Sequence, residues 1–141
     1  PIGACIGIGA AAVLMTPGLH GSTFGGNPVC TAAALAVLRT LAADDLMAHA
    51  AILGKNLQRG IEELGHPLVD HVRGRGLLQG VVLTAPAAKA AETTARDAGF
   101  LVNAAAPDVV RLAPPLIITD AQIDSFLAAL PGVLDAARDA S

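Results

Sequence analysis

His20-Gly21-Ser22-Thr23-Phe24-Gly25-Gly26-Asn27-Pro28 is the most informative stretch of the chain. Glycines at 21, 25 and 26 and hydroxyls at 22 and 23 form a loop that runs into Asn27, a strong N-cap. Pro28 follows, with a φ already set for the first helical position. The Ala-rich residues Val29–Leu41 have high helix propensity and almost no charge, so their helix is expected to be buried nearly all round. Physics alone leaves two readings of the loop open. Free backbone N–H groups, a helix dipole and two hydroxyls together suit a phosphate. A tight loop whose hydroxyls only satisfy its own backbone needs no ligand at all.

Upstream, Ile2–Ile8 is small and apolar on both faces and reads as a buried strand. Residues 10–15 read as a short helix stopped by Pro17. No Asp, Glu, Lys or Arg occurs before Arg39, but Pro17, His20, Asn27 and Pro28 interrupt the apolar run well short of the ~20 residues a membrane span requires. A basic leader is also lacking, so a signal peptide is not expected. Downstream, Asp44 and Asp45 open a second helix to Leu64. Its polar positions Lys55, Gln58, Arg59 and Glu62 interleave with Leu46, Ile52, Leu57 and Ile61, and Gly65 and Pro67 end it.

Residues 69–73, 77–83, 101–103 and 109–112 have strand character. A helix is expected over 87–96, closed by Gly99, and a last one from the cap Thr119 to about Ala137. Strands flanked by helices on one face make an α+β layer.

Bulk properties exclude several classes. At 53% hydrophobic and 15% charged, the 141 residues bury too much apolar surface for disorder and suffice for one core. The net charge of −3 and the dispersed basic residues argue against nucleic acid, and the absence of Trp and Tyr removes a base-stacking platform. Cys5 and Cys30 have neither CxxC nor zinc spacing and read as small core thiols of a reducing compartment. His20, His49, His66 and His71 show no ligand spacing, so no metal site is expected. Gly7-Ile8-Gly9-Ala10-Ala11-Ala12 mimics a dinucleotide fingerprint, but the acid due about 20 residues later is missing.

Arg111 lies in an apolar strand, on the face of Val109 and Ala113, where an unpaired guanidinium would be costly. Its planar fork suits a carboxylate ligand. A structural ion pair with Asp108 or Asp120 would satisfy it as well. Arg73 and Arg75 flank Gly74 in what reads as a turn, where a charged hairpin is the ordinary outcome.

The loop string is similar to the GSTFGGNP segment of the class III pyridoxal-phosphate-dependent aminotransferases. The likeness runs along nearly the whole chain. Pro1-Ile2-Gly3-Ala4 resembles the residues that follow the family's lysine and glycine-rich turn, and Val72-Arg73-Gly74-Arg75-Gly76-Leu77-Leu78-Gln79-Gly80 its first small-domain hairpin. Leu101-Val102-Asn103 and the run from Val110 to Thr119 resemble its later strands, and this region leans toward the acetylornithine and ornithine branch, although Ala105-Ala106 stand where a Gly is frequent. The resemblance implies that Thr23, with Ser22 beside it, reaches the cofactor phosphate of the other subunit in a homodimer. It implies that Arg111 binds the α-carboxylate of an amino-acid substrate.

The family's Schiff-base lysine is not matched here. Lys55 and Lys89 both fall in helical stretches with polar neighbours, and by the family pattern the lysine would lie upstream of Pro1. The resemblance therefore implies no catalytic residue in this segment and no activity of the segment alone. It implies a fold of three regions. Residues 1–27 would be a remnant, with one strand, of a large cofactor-binding domain. Residues 28–64 would be interdomain helices, and 65–141 the small C-terminal domain of a fold-type I enzyme, a mainly antiparallel sheet covered by helices. The whole enzyme would use pyridoxal phosphate in the cytoplasm to move an amino group from N-acetylornithine to 2-oxoglutarate in arginine biosynthesis. An ornithine or 4-aminobutyrate aminotransferase, and a stand-alone binding or dimerisation module derived from the family, are the alternatives.

Overall fold

A computed structural model describes residues 2–140, and the chain divides into two compact units between Asp44 and Asp45. Pro1, where the first expected region begins, lies outside the described residues.

The first unit holds a 3₁₀ helix, Gly9–Val13, and helix α1, Pro28–Ala43. Asn27 caps α1 as its sequence requires: its Oδ1 accepts from the backbone N–H of Val29 at 3.0 Å and of Cys30 at 3.2 Å. Three expectations fail here. Residues 2–8 form no strand, and Ile6 and Ile8 are more than four-fifths exposed. A strand needs a neighbour to take its N–H and C=O groups, and no other strand is present among the described residues of this unit. Helix α1 has no buried residue, and Val29, Val37 and Leu38 stand exposed. Its composition asks for burial that this unit does not supply. Cys5 is exposed and Cys30 only partly covered, so neither is a core thiol within this unit.

The second unit follows the expected order closely. It runs α2 (Leu46–Glu63), β1 (Val69–Arg75), β2 (Leu78–Leu83), α3 (Ala88–Asp97), β3 (Asn103–Ala106), β4 (Val109–Leu112) and α4 (Asp120–Asp139). The strands make one sheet in the order β1-β2-β4-β3, antiparallel at every pairing. It is the α+β arrangement read from the sequence.

Cross-strand register decides which sheet face is buried. Val72 pairs with Val81 and Val81 with Val110, and all three are buried. Partners directly opposite in an antiparallel pair share a face, so this row faces Leu57 and Ile61 of α2, Ala91 of α3 and Leu134 of α4 in one core. Each fully buried aliphatic side chain contributes roughly 1.5–3 kcal/mol relative to exposure. Helix α4 starts on a reciprocal cap, in which the Thr119 hydroxyl accepts from Gln122 N–H and the Gln122 side chain accepts from Thr119 N–H.

Helix α3 is tied down electrostatically. Glu92 accepts from the Lys89 ammonium, and its carboxyl titrates below the usual glutamate range. The Lys89 hydrogen bond is the main cause; charge from Lys89 and Arg96 and a hydrogen bond from Asn103 of β3 add to it, against partial desolvation. A folded-state value below the unfolded one gives stability that is complete above the unfolded value and is lost as pH falls through the folded one. In thermal melts over a pH series, the deficit of Glu92→Gln relative to the parent chain is therefore expected to be largest near neutrality and to close in acid. A deficit independent of pH would remove the charge explanation.

Candidate functional site

The sheet face opposite the core carries the charged groups. Arg73 of β1 pairs with Gly80 of β2, and Gly80 pairs with Arg111 of β4, which places both arginines in one row on the open face. Arg75 pairs with Leu78 and belongs to the same face. All three arginines are exposed and line one open depression of about 530 Å³ with Gly80, Ala105 and Val109. No guanidinium of the three forms a hydrogen bond or an ion pair with another described residue, and no acidic side chain lines the depression.

These positions correct three readings. Arg111 is not held in an apolar environment, since strand alternation sends Val110 and Leu112 into the core and Arg111 outward. No ion pair with Asp108 or Asp120 forms. Arg73 and Arg75 lie on β1 itself, and the chain reverses at Gly76-Leu77, where Gly76 has a φ of 54°.

Gln79, whose role the sequence did not announce, is 4% exposed and points inward from β2. Its Nε2 donates to the carbonyls of Gly54 and Gly76, joining α2 to the hairpin turn under the depression. Only the sharp switch of burial between Leu78 and Gln79 marks it, and that switch depends on register.

In the first unit, Ser22 and Thr23 sit at the turn that ends at Gly26, closed by Gly25 N–H donating to Ser22 O at 3.2 Å. Both residues are exposed, and neither hydroxyl is engaged by another described residue. The first amides of α1 are less free, because Asn27 already occupies those of Val29 and Cys30. A phosphate here would be held by the two hydroxyls and loop amides more than by the helix end.

Neither lysine is placed to hold a cofactor. Lys55 is exposed on α2, and Lys89 is exposed on α3 with its ammonium engaged by Glu92. No cluster of three metal-binding side chains occurs among the described residues, and no described helix is long and apolar enough to cross a membrane.

The sequence matches the model of the family Aminotransferase class-III over residues 1–134. The chain belongs to the class III aminotransferase family. It is 74% identical, over its whole length, to the acetylornithine aminotransferase of Mycolicibacterium smegmatis, of which it covers 36%. It is 55% identical to the acetylornithine aminotransferase of Streptomyces coelicolor over 99% of this chain and 35% of that one. Among solved structures, the acetylornithine aminotransferase of Elizabethkingia anophelis superposes with a TM-score of 0.78 at 32% identity, over 87% of this chain and 34% of that one. The ornithine aminotransferase of Toxoplasma gondii gives a TM-score of 0.79 at 29% identity, over 93% of this chain and 32% of that one. The chain thus spans about a third of the length of the relatives it matches. The class III family match and these structural neighbours accord with the small α+β domain expected from the sequence.

Proposed function

We propose that the chain is the small-domain part, with a phosphate loop, of a pyridoxal-phosphate-dependent aminotransferase that takes N-acetylornithine as amino donor and 2-oxoglutarate as acceptor, in arginine biosynthesis. The observation that carries this is the 74% identity to an acetylornithine aminotransferase along the entire chain. The cofactor, when bound, supplies the electron sink for breaking a bond at the amino-bearing carbon. Residues 1–27 would belong to the large domain, 28–64 to the interdomain helices and 65–141 to the small domain.

The chain's own residues then divide the remaining work. Arg111 offers two parallel N–H donors to the substrate α-carboxylate and fixes the orientation of the α-carbon. Its freedom from any internal partner supports this, because no ion pair must be broken first. Ser22 and Thr23 offer hydroxyl donors to the cofactor phosphate of the partner subunit in a homodimer. No residue of this chain serves as the Schiff-base amine. The enzyme would work in the cytoplasm.

Activity divides cleanly between two preparations. The 141-residue chain with added pyridoxal phosphate is expected to show no amino transfer. A chimera in which it replaces the matching stretch of the Mycolicibacterium smegmatis enzyme is expected to transfer the amino group of N-acetylornithine to 2-oxoglutarate. Turnover by the chain alone, or a folded chimera that is silent toward N-acetylornithine and active on ornithine or 4-aminobutyrate, would overturn the corresponding part of the reading.

A further inference from the structure

His66 is a buried histidine that the proposed amino transfer does not use. Its side chain is 7% exposed, in the loop that leads from α2 into β1, an edge strand of the sheet. We propose that His66 is a pH-operated latch: the neutral ring holds the turn that starts β1, and a proton on its Nδ1 releases that turn.

Hydrogen bonds define the closed state. The backbone N–H of Leu68 donates to His66 Nδ1 at 3.2 Å, inside a turn that the Val69 N–H closes by donating to His66 O at 2.9 Å. An Nδ1 that accepts carries no proton, so the neutral ring carries its one proton on Nε2. Nε2 faces Asp135 Oδ1 of α4 at 3.4 Å and donates to it. The ring therefore ties the turn to α4 in a single tautomer. Thr84, just past β2, fastens the same turn: its hydroxyl donates to Pro67 O at 3.1 Å and its N–H to Leu68 O at 3.0 Å.

A proton on Nδ1 removes the acceptor. Leu68 N–H and Nδ1–H would then face each other as two donors. Leu68 is 3% exposed, and its N–H has no other acceptor among the described residues. A buried donor left unmet is costly, so the turn opens or the ring leaves it.

The surrounding charges do little to hold a protonated ring in place. On α4, Asp135 is half exposed, and the same Oδ1 accepts from Arg138 at 3.0 Å; Arg138 also pairs with Asp139. On α2, Glu62 accepts from Gln58 and Glu63 pairs with Arg59. Asp70 and His71 of β1 pair with each other, as do Lys89 and Glu92 of α3. Residues 84–87 bring no titratable group. Asp135 is thus the one charged group in contact with the ring among the described residues, and Arg138 already shares it. Released, β1 loses its anchor at Val69, beside the register shift between Val69 and His71, and frays from that end.

Amide exchange and ring-nitrogen resonances of the isotope-labelled 141-residue chain, followed between about pH 8 and 5, test the latch. Near neutrality the ring is expected as the Nε2–H tautomer, with the Leu68 amide protected. As Nδ1 takes a proton, protection of Leu68 is expected to fall roughly fivefold or more, the weight of one hydrogen bond, while Val81 in the core stays protected. His66→Asn supplies an oxygen that reaches the N–H two residues on and does not titrate, so its Leu68 amide is expected to stay protected throughout. His66→Ala has no acceptor and should leave Leu68 unprotected at every pH. An Nδ1–H tautomer at neutrality, or a ring that stays neutral until Val81 also loses protection, overturns the latch. Leu68 protection that survives ring protonation overturns it too, as does an acid loss in His66→Asn equal to the parent's.

Discussion

Arg111→Ala in the active chimera is expected to lower kcat/KM for the amino-acid substrate by roughly 30- to 4,000-fold. The magnitude follows from the kind of contact at stake. Truncating one partner of a desolvated, hydrogen-bonded charge pair costs about 2–5 kcal/mol, and every ~1.4 kcal/mol is a factor of ten. Part of that loss falls on KM, because the carboxylate is held in the ground state too. Part falls on kcat, because a substrate anchored only by its amino group samples many orientations of its α-carbon. Arg111→Lys keeps the charge without the planar fork and is expected to recover part of the loss. Stability supplies the control. Arg111 is exposed and has no partner among the described residues, so the melting temperature of either variant should match the parent to within the effect of an ordinary surface change, about 0.5 kcal/mol. Unchanged kcat/KM in a folded Arg111→Ala chimera would remove Arg111 from the substrate site.

Much of the second unit could be read from local signals. Thr119 with Gln122 three residues on writes a capping box into the sequence, and α4 begins there. Gly65 and Gly99 follow α2 and α3, as closing glycines should, and both have positive φ. The short β-branched and apolar runs of β2 and β4, bounded by turn residues, announce strands. What stayed hidden depends on neighbours. Ile2–Ile8 has the composition of an interior strand, but composition specifies a strand only when something pairs with it. The same is true of α1, whose apolar surface has no cover within its own unit. For Arg111 the sequence suggests the wrong surroundings. Apolar residues at 109 and 113 made its face look buried, whereas the register with Val81 puts Val110 on the core side and Arg111 opposite. The row through Gly80 was out of reach for the same reason. Arg73 and Arg111 are far apart in sequence, and only strand pairing makes them neighbours.

Gly54→Ala is the substitution expected to damage the second unit most for its size. A Cβ on Gly54 of α2 would sit 2.2 Å from the Gly76 carbonyl oxygen and 2.8 Å from its Cα. Those atoms are backbone, so no side-chain rotation relieves the clash. Either α2 lifts from the sheet or the β1–β2 turn moves. Gly76 has little room to yield, because its φ of 54° is the one the tight turn uses. Lifting α2 would also withdraw the Gly54 carbonyl from Gln79 Nε2, and Gln79 is buried with its Oε1 already lacking a partner. A second unmet polar atom there costs about 1–3 kcal/mol. Overpacking adds about 1–3 kcal/mol, against which the better helix propensity of alanine returns at most about 1 kcal/mol. The expected net loss is about 3 kcal/mol, which lowers the melting temperature by roughly 12 °C or more for a domain of this size. Gly132, in α4, is the comparison. A Cβ there meets nothing within 4 Å, so Gly132→Ala is expected to leave the melt unchanged or raise it slightly. Equal melting temperatures for the two variants would show that α2 does not press on the hairpin as closely as these distances require.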